Sequence, residues 1–351
     1  MSSRINSEFS PSPFQNNPDN QPVIGLDAAL KYLTSRTTLM TRDVIEELAN
    51  NLEAHENLSP EVKYYTGWAF LDAAYPGLFS VKNSPRDDSD ADSLKLASSG
   101  FNYFKQLDSR AKYFSKDSDI EDLKKKEINL DEVIFGIKAR LVRCFEEFIL
   151  NSPSGNSPKS IHNSRLKMAG TVVEKLTATG MQIREQIQVT ERLINTEDKL
   201  HTQKSINSFY ANLRGIEAEC AFLGAIWTAI AKDDSEFGLN YLALPASVRT
   251  DYGLNYKEPK ADVVFYSGYK KYAVEIARGK VFSAKNGRNY VSHGNTLYIY
   301  GDRDLRLPST QIVGDGYKIS PDFKGYKDEA DRVMHQVLST IKRLGSEEVK
   351  G

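Results

Sequence analysis

Hydrophobic and polar positions along this chain change period twice. From residue 26 to 150 the apolar residues recur at helical spacing, in LDAALKYL, VIEELANNL, EVKYYTGWAFLDAAY, NYFKQLDSRAKYF and EVIFGIKARLVRCFEEFIL, which predicts a set of amphipathic helices. GWAFLDAAY and ASSGFNYFKQLD are similar to the two helices of a tetratricopeptide unit, but no second copy follows, so a generic helical bundle is expected. NSPSGNSPKS, residues 151–160, then interrupts the pattern with Pro, Gly and Ser and reads as a linker. Beyond it Leu166, Ala169, Val173, Leu176, Gly180, Ile183, Ile187, Thr190 and Ile194 are spaced alternately by three and four. That is the seam of a coiled-coil-like helix, suited to packing within the molecule or to a homodimer through residues 161–194.

A further helix carries the stripe Ile216, Cys220, Leu223, Trp227 and Ile230, with Glu219 bordering it and Glu217 on its other side. The period then shortens. LNYLALPASV is extended, KADVVFYSGYKKYAVEIARGK reads as two short strands about a tight turn, and NTLYIYG reads as another strand. A last helix sets Ala330, Val333, Met334, Val337, Ile341 and Leu344 on one face. The expected division is a polar tail over 1–24, a helical domain over 25–150, a linker over 151–160, a long helix over 161–203 and a unit of strands and helices over 204–345. The fold class is α+β overall, an all-α N-terminal domain followed by an α/β domain.

Composition narrows the function classes. The chain has 351 residues, 40% hydrophobic, with 46 Lys or Arg against 47 acids, so it can bury a core and is not a globally basic polyanion coat. Cys144 and Cys220 both fall in helical apolar patterns and read as buried, reduced thiols. The first residues lack an apolar segment of the kind a signal peptide needs, and the longest apolar run, CAFLGAIWTAIA, is too short for a membrane span. A cytoplasmic protein without a membrane role is therefore expected. Asp88, Asp90 and Asp92 alternate in an acidic loop, but Ser93 and Ser99 stand where a calcium loop needs Gly and Glu. No phosphate-binding glycine loop, dinucleotide fingerprint or nucleophile elbow is present in the sequence.

The hairpin holds the most informative chemistry. Gly268-Tyr269 suits a two-residue turn with Gly in the first central position. Pairing outward from that turn sets Ser267 opposite Lys270, Tyr266 opposite Lys271, Phe265 opposite Tyr272 and finally Asp262 opposite Glu275. Two carboxylates on one face, with Cβ atoms about 5 Å apart, repel unless a proton, a cation or a divalent metal lies between them. That geometry suggests a hard-metal site for Mg²⁺ or Mn²⁺. The alternative is an edge hairpin whose acids pair with Lys260, Lys270 or Lys271. From Lys260 to Arg306 there are nine Lys or Arg against four acids, and Lys285 and Arg288 with Phe282 and Tyr290 suit a nucleic-acid backbone and its bases.

A helix bearing an acid, then a hairpin with paired acids, then a further strand and helix resembles the PD-(D/E)xK superfamily, the restriction-endonuclease-like fold. The resemblance covers about residues 204–344. It implies a central mixed sheet and a metal-dependent nuclease, with Glu219 (or Glu217), Asp262 and Glu275 as metal ligands and catalytic groups. The lysine of the motif falls at Ala277, which leaves Arg278, Lys280 or Lys271 as substitute cations. Lys271, Lys285 and Arg288 are the expected substrate-binding residues, DNA or RNA the expected partner, and the helical domain a means of recruiting a protein. His293 is a further loop residue near the site. The alternative function is a catalytically inactive, nuclease-like adaptor or a nucleic-acid-binding protein.

Overall fold

A computed structural model of the chain describes residues 58–75, 77–79, 91–114, 129–151, 157–195, 203–232, 241–247, 262–268, 270–278, 281–282, 289–290, 295–300, 311–314 and 326–348. The expected polar tail, the helices before residue 58 and most of the acidic loop lie outside the described residues. So do Lys280, Lys285, Arg288 and His293.

The first described helix, α1 (Pro60–Ala74), starts where Ser59 accepts a hydrogen bond from the Val62 amide and Pro60 fills the first position, an arrangement that satisfies one otherwise unpaired amide and needs none from proline. Helix α2 (Ala91–Arg110) packs along it. Trp68 of α1 meets Phe104 of α2 and Phe79 edge to face, with ring centroids 5.8 and 5.4 Å apart. Helix α3 (Leu130–Arg143) is capped by Asn129 and gives way at Cys144–Phe145 to the short α4 (Glu146–Leu150). Arg140 and Arg143 of α3 both bind Asp108 of α2, at 2.8 and 2.7 Å.

Helix α5 (Pro158–Asn195) runs for 38 residues. It begins inside the stretch expected to be a linker, because Pro158 occupies its first position and Ser157 caps it through the Ser160 amide. Ala169, Leu176, Ile183, Ile187 and Thr190 of its seam are buried, and α5 packs along α6 (Gln203–Ala231). The seam is thus occupied within the chain over residues 169–190. Gln186 clamps the segment after α2, accepting from the Phe114 amide at 2.8 Å and donating to its carbonyl at 3.0 Å.

The strands follow α6. β1 (Tyr241–Pro245), β2 (Val263–Ser267), β3 (Lys270–Arg278), β6 (Asn295–Tyr300) and β7 (Gln311–Gly314) form one sheet in the order β1-β2-β3-β6-β7. β4 (Val281–Phe282) and β5 (Asn289–Tyr290) make a separate small hairpin. All pairings are antiparallel, so among the described strands the mixed sheet is not found. Parallel neighbours need a crossover of about a dozen residues or more, usually a helix, whereas the stretch between β3 and β6 contains the β4–β5 hairpin. The β2–β3 ladder has the register set by its turn, Ser267 opposite Lys270 through Val263 opposite Val274. Gly268 has φ +60°, the left-handed value that primed hairpin turns require at their first central residue.

Helix α7 (Lys327–Glu348) closes the α+β fold, with Ala330, Val333, Met334, Val337 and Ile341 buried. A single buried cluster extends from Val62 in α1 to Ile341 in α7. Trp227 joins its two halves: Phe145 and Phe148 pack on the indole at 5.6 and 4.8 Å, while its N–H donates to the Ala243 carbonyl of β1 at 2.7 Å. The segment after α1 also reaches the sheet. Tyr266 donates to the Leu78 carbonyl at 2.6 Å, and the Ser247 amide donates to the Phe79 carbonyl at 2.8 Å.

Close approach of α6 to the start of α7 depends on Gly224, where an added methyl would run into the ring of buried Tyr326. Gly224→Ala is expected to destabilise the protein by about 1–3 kcal/mol through overpacking, read as a lower urea midpoint with an unchanged slope.

Candidate functional site

The second half of helix α6 is buried on almost every side. From Leu213 to Ile230 only Gly215, Glu219 and Thr228 escape full burial. An acid on such a helix needs a partner. Glu217 has one in Arg214, one turn away, at 2.6 Å with both side chains buried. Glu217 is therefore part of the helix's internal packing, and of the two acids Glu219 is the one that meets the hairpin.

Asp262 stands just before β2 and is fixed by three hydrogen bonds. Its amide donates to the Val274 carbonyl at 2.9 Å, its carbonyl accepts from the Ala246 amide at 2.9 Å, and Oδ2 accepts from the Ile276 amide at 2.7 Å. Continuation of the ladder sets Asp262 opposite Glu275, but the Asp262 amide reaches Val274 instead. Its carboxylate takes a β3 amide, and this side-chain bond competes with the ladder and ends the regular pairing at Val263.

The carboxylate of Asp262 also lies near Glu219. Burial, and then the Asp262 charge, push the Glu219 carboxyl up from 4.5 to about 8, while Lys138 of α3 pulls in the opposite direction. The structure thus brings together an acid from α6, an acid from the hairpin and a lysine from the helical half. Tyr64 of α1 is also close enough for the Glu219 charge to help raise its phenol. Sequence reasoning missed Lys138. It sits in an ordinary amphipathic helix, and nothing local links position 138 to position 219.

The remaining candidates separate clearly. Lys271 is buried, and its ammonium donates to the Gly77 carbonyl at 3.4 Å. It ties the sheet to the segment after α1 and is not exposed to hold a substrate. Glu275 pairs with Tyr298, Ala277 with Thr296 and Arg278 with Asn295 across β3 and β6; their side chains lie outside the described residues. Cys144 and Cys220 are free and buried, and burial pushes the Cys144 thiol up to about 11, which leaves it protonated and unreactive at neutral pH. No group of three or more His, Cys, Asp or Glu side chains that could hold a metal occurs among the described residues, and no helix among them is long and apolar enough to cross a membrane.

Comparison with protein families, with curated proteins and with solved structures finds no match for this chain.

Two substitutions separate the neighbouring acids. Because the folded state raises the Glu219 pKa, it binds more protons than the unfolded chain between pH 4.5 and about 8. Stability from this group is present at low pH, falls as pH rises through that window, and levels off above it. Glu219→Gln should therefore melt close to wild type at pH 4.5 and at least about 2 °C above it at pH 8. Glu217→Ala leaves the Arg214 guanidinium buried without its partner and should lose about 3–5 kcal/mol at neutral pH in chemical denaturation.

Proposed function

We propose that Glu219 and Asp262 form the core of a divalent-cation site for phosphodiester hydrolysis, and that the protein is a metal-dependent nuclease. The observation that carries this reading is the convergence of two carboxylates, one from α6 and one from the hairpin, in which the Asp262 charge adds to burial in raising the Glu219 carboxyl. Like charges held in apolar surroundings favour whatever cation can lie between them.

The donor set fits a hard metal. Both groups offer carboxylate oxygen, and Mg²⁺ commonly takes one or two carboxylates and fills its remaining positions with water and substrate phosphate oxygens. When bound, such an ion polarises a phosphate oxygen and lowers the pKa of an attacking water. The chain's own groups supply the rest. The Ile276 amide holds the Asp262 carboxylate in one orientation. Glu219 comes from a helix too tightly packed to move. Lys138 offers a positive charge to the developing phosphate charge, the role that the resemblance gives to a strand lysine at Ala277.

A second reading is a nuclease-like adaptor without activity. It is favoured by Ala277 and by the commitment of Lys271 to the Gly77 carbonyl. The test is cleavage of labelled single- and double-stranded DNA and RNA with Mg²⁺, Mn²⁺ or EDTA. Metal-dependent cutting that falls by about 100-fold or more in Asp262→Asn and in Glu219→Gln supports the nuclease. The absence of cutting on every substrate, with no rise in melting temperature on adding Mn²⁺, favours the adaptor.

A further inference from the structure

Asp262 stands where the chain rejoins the sheet, and it is held there from the β1 side as well as from β3. β1 ends with Pro245 opposite Val263. The Ala246 amide then donates to the Asp262 carbonyl at 2.9 Å, which carries the β1–β2 pairing one residue further. Ser247 follows, fully buried, and turns toward the helical half. Its amide donates to the Phe79 carbonyl at 2.8 Å, and its hydroxyl donates to Oδ2 of Asp72 on α1 at 2.6 Å.

Both acceptors are themselves fixed. Asp72 lies in the last turn of α1 and is only 4% exposed. A hydroxyl donating to a buried carboxylate at this distance makes a short, charge-assisted bond, stronger than one between neutral groups. The segment after α1 is tied along its length. The carbonyls of Gly77, Leu78 and Phe79 accept in turn from the Lys271 ammonium, the Tyr266 hydroxyl and the Ser247 amide. The Phe79 ring also packs edge to face on Trp68. Ser247 is therefore the point at which the end of β1 is tied to the helical half, one residue from the amide that holds Asp262.

We infer that Asp72 and Ser247 are positioning residues for the Asp262 carboxylate, acting on it through the Ala246 amide. The inference rests on the carboxylate pair of the proposed site and adds that the helical half sets the geometry of one member. Asp262 reaches the Ile276 amide with Oδ2 while its own amide is bonded to Val274 and its carbonyl to Ala246. Loss of the Ser247–Asp72 bond frees the end of β1, and strand ends that are held by few bonds open locally without unfolding the rest. The Asp262 carbonyl then loses its donor, and the carboxylate loses its fixed orientation. The Ile276 amide reports this directly, because its partner is the carboxylate itself.

The test is amide hydrogen exchange of the full chain without metal, read by NMR at Ile276 and, as the reference for global opening, at Leu223 in the middle of α6. Ser247→Ala should speed exchange at Ile276 by about 10-fold more than at Leu223. Ser247→Cys, which keeps the shape and leaves a weak donor, should fall between this variant and the wild type. Asp72→Asn keeps an oxygen to accept from the Ser247 hydroxyl and should preserve the protection of Ile276 that Asp72→Ala loses. Tyr266→Phe unties the same segment at Leu78 and is the control; it should speed Ile276 no more than Leu223. Equal acceleration at Ile276 and Leu223 in both Ser247 variants would make the bond a general brace and overturn the inference, as would selective loss at Ile276 in Tyr266→Phe. Calorimetric titration with Mn²⁺ separates this inference from the metal site. Binding by the wild type that weakens about 10-fold or more in Ser247→Ala supports both. Selective exchange at Ile276 in a protein that binds no Mn²⁺ supports the positioning role and removes the metal site. Unchanged Mn²⁺ affinity with unchanged exchange at Ile276 overturns the positioning role and leaves the carboxylate pair standing.

Discussion

A helix buried on nearly every side can carry an acid only where another group answers its charge. This constraint on α6 organises the molecule. The helix passes between α5, the helical half and the sheet, and Trp227 binds both halves by packing against Phe145 and Phe148 and donating to Ala243. The helix carries two acids in its buried stretch, and they are answered differently. Glu217 is neutralised within the helix by Arg214. Glu219 is met across the fold by Asp262 and Lys138, groups separated from it in sequence and brought together only by tertiary packing.

The hairpin's contribution follows from a local competition. A regular ladder would carry Asp262 into the strand, but its carboxylate takes the Ile276 amide and leaves the register. A backbone hydrogen bond is exchanged for a fixed carboxylate, a trade that a purely structural strand gains little from. The same hairpin is anchored by Tyr266 and Lys271 to the segment after α1. The helical half therefore holds the hairpin in place and also supplies the lysine whose charge acts on Glu219.

Much of this was legible in the sequence. The apolar spacing located α1 to α3 and α5 to α7, with α4 read as the end of α3, and Gly268 fixed the β2–β3 register to within one residue of Asp262. The parts that were not legible have physical reasons. Pro158 was read as a breaker, although proline at a first helical position preserves a helix. The sheet was expected to be mixed, because spacing identifies strands without saying how they connect. Lys271 looked like a candidate for substrate contact because its charge is visible and its burial is not. Lys138 gave no signal, since its proximity to Glu219 comes from packing between helices about 80 residues apart. The offset at Asp262 was hidden as well, because it depends on a side-chain bond to a β3 amide rather than on any pattern of residues.

The most direct measurement of whether Glu219 and Asp262 act as one oxygen-donor pair is anomalous diffraction from crystals grown with Mn²⁺. A manganese peak is expected between the two side chains, within coordination distance of both carboxylates. A map with the two carboxylates well ordered at high Mn²⁺ and no peak between them would contradict it.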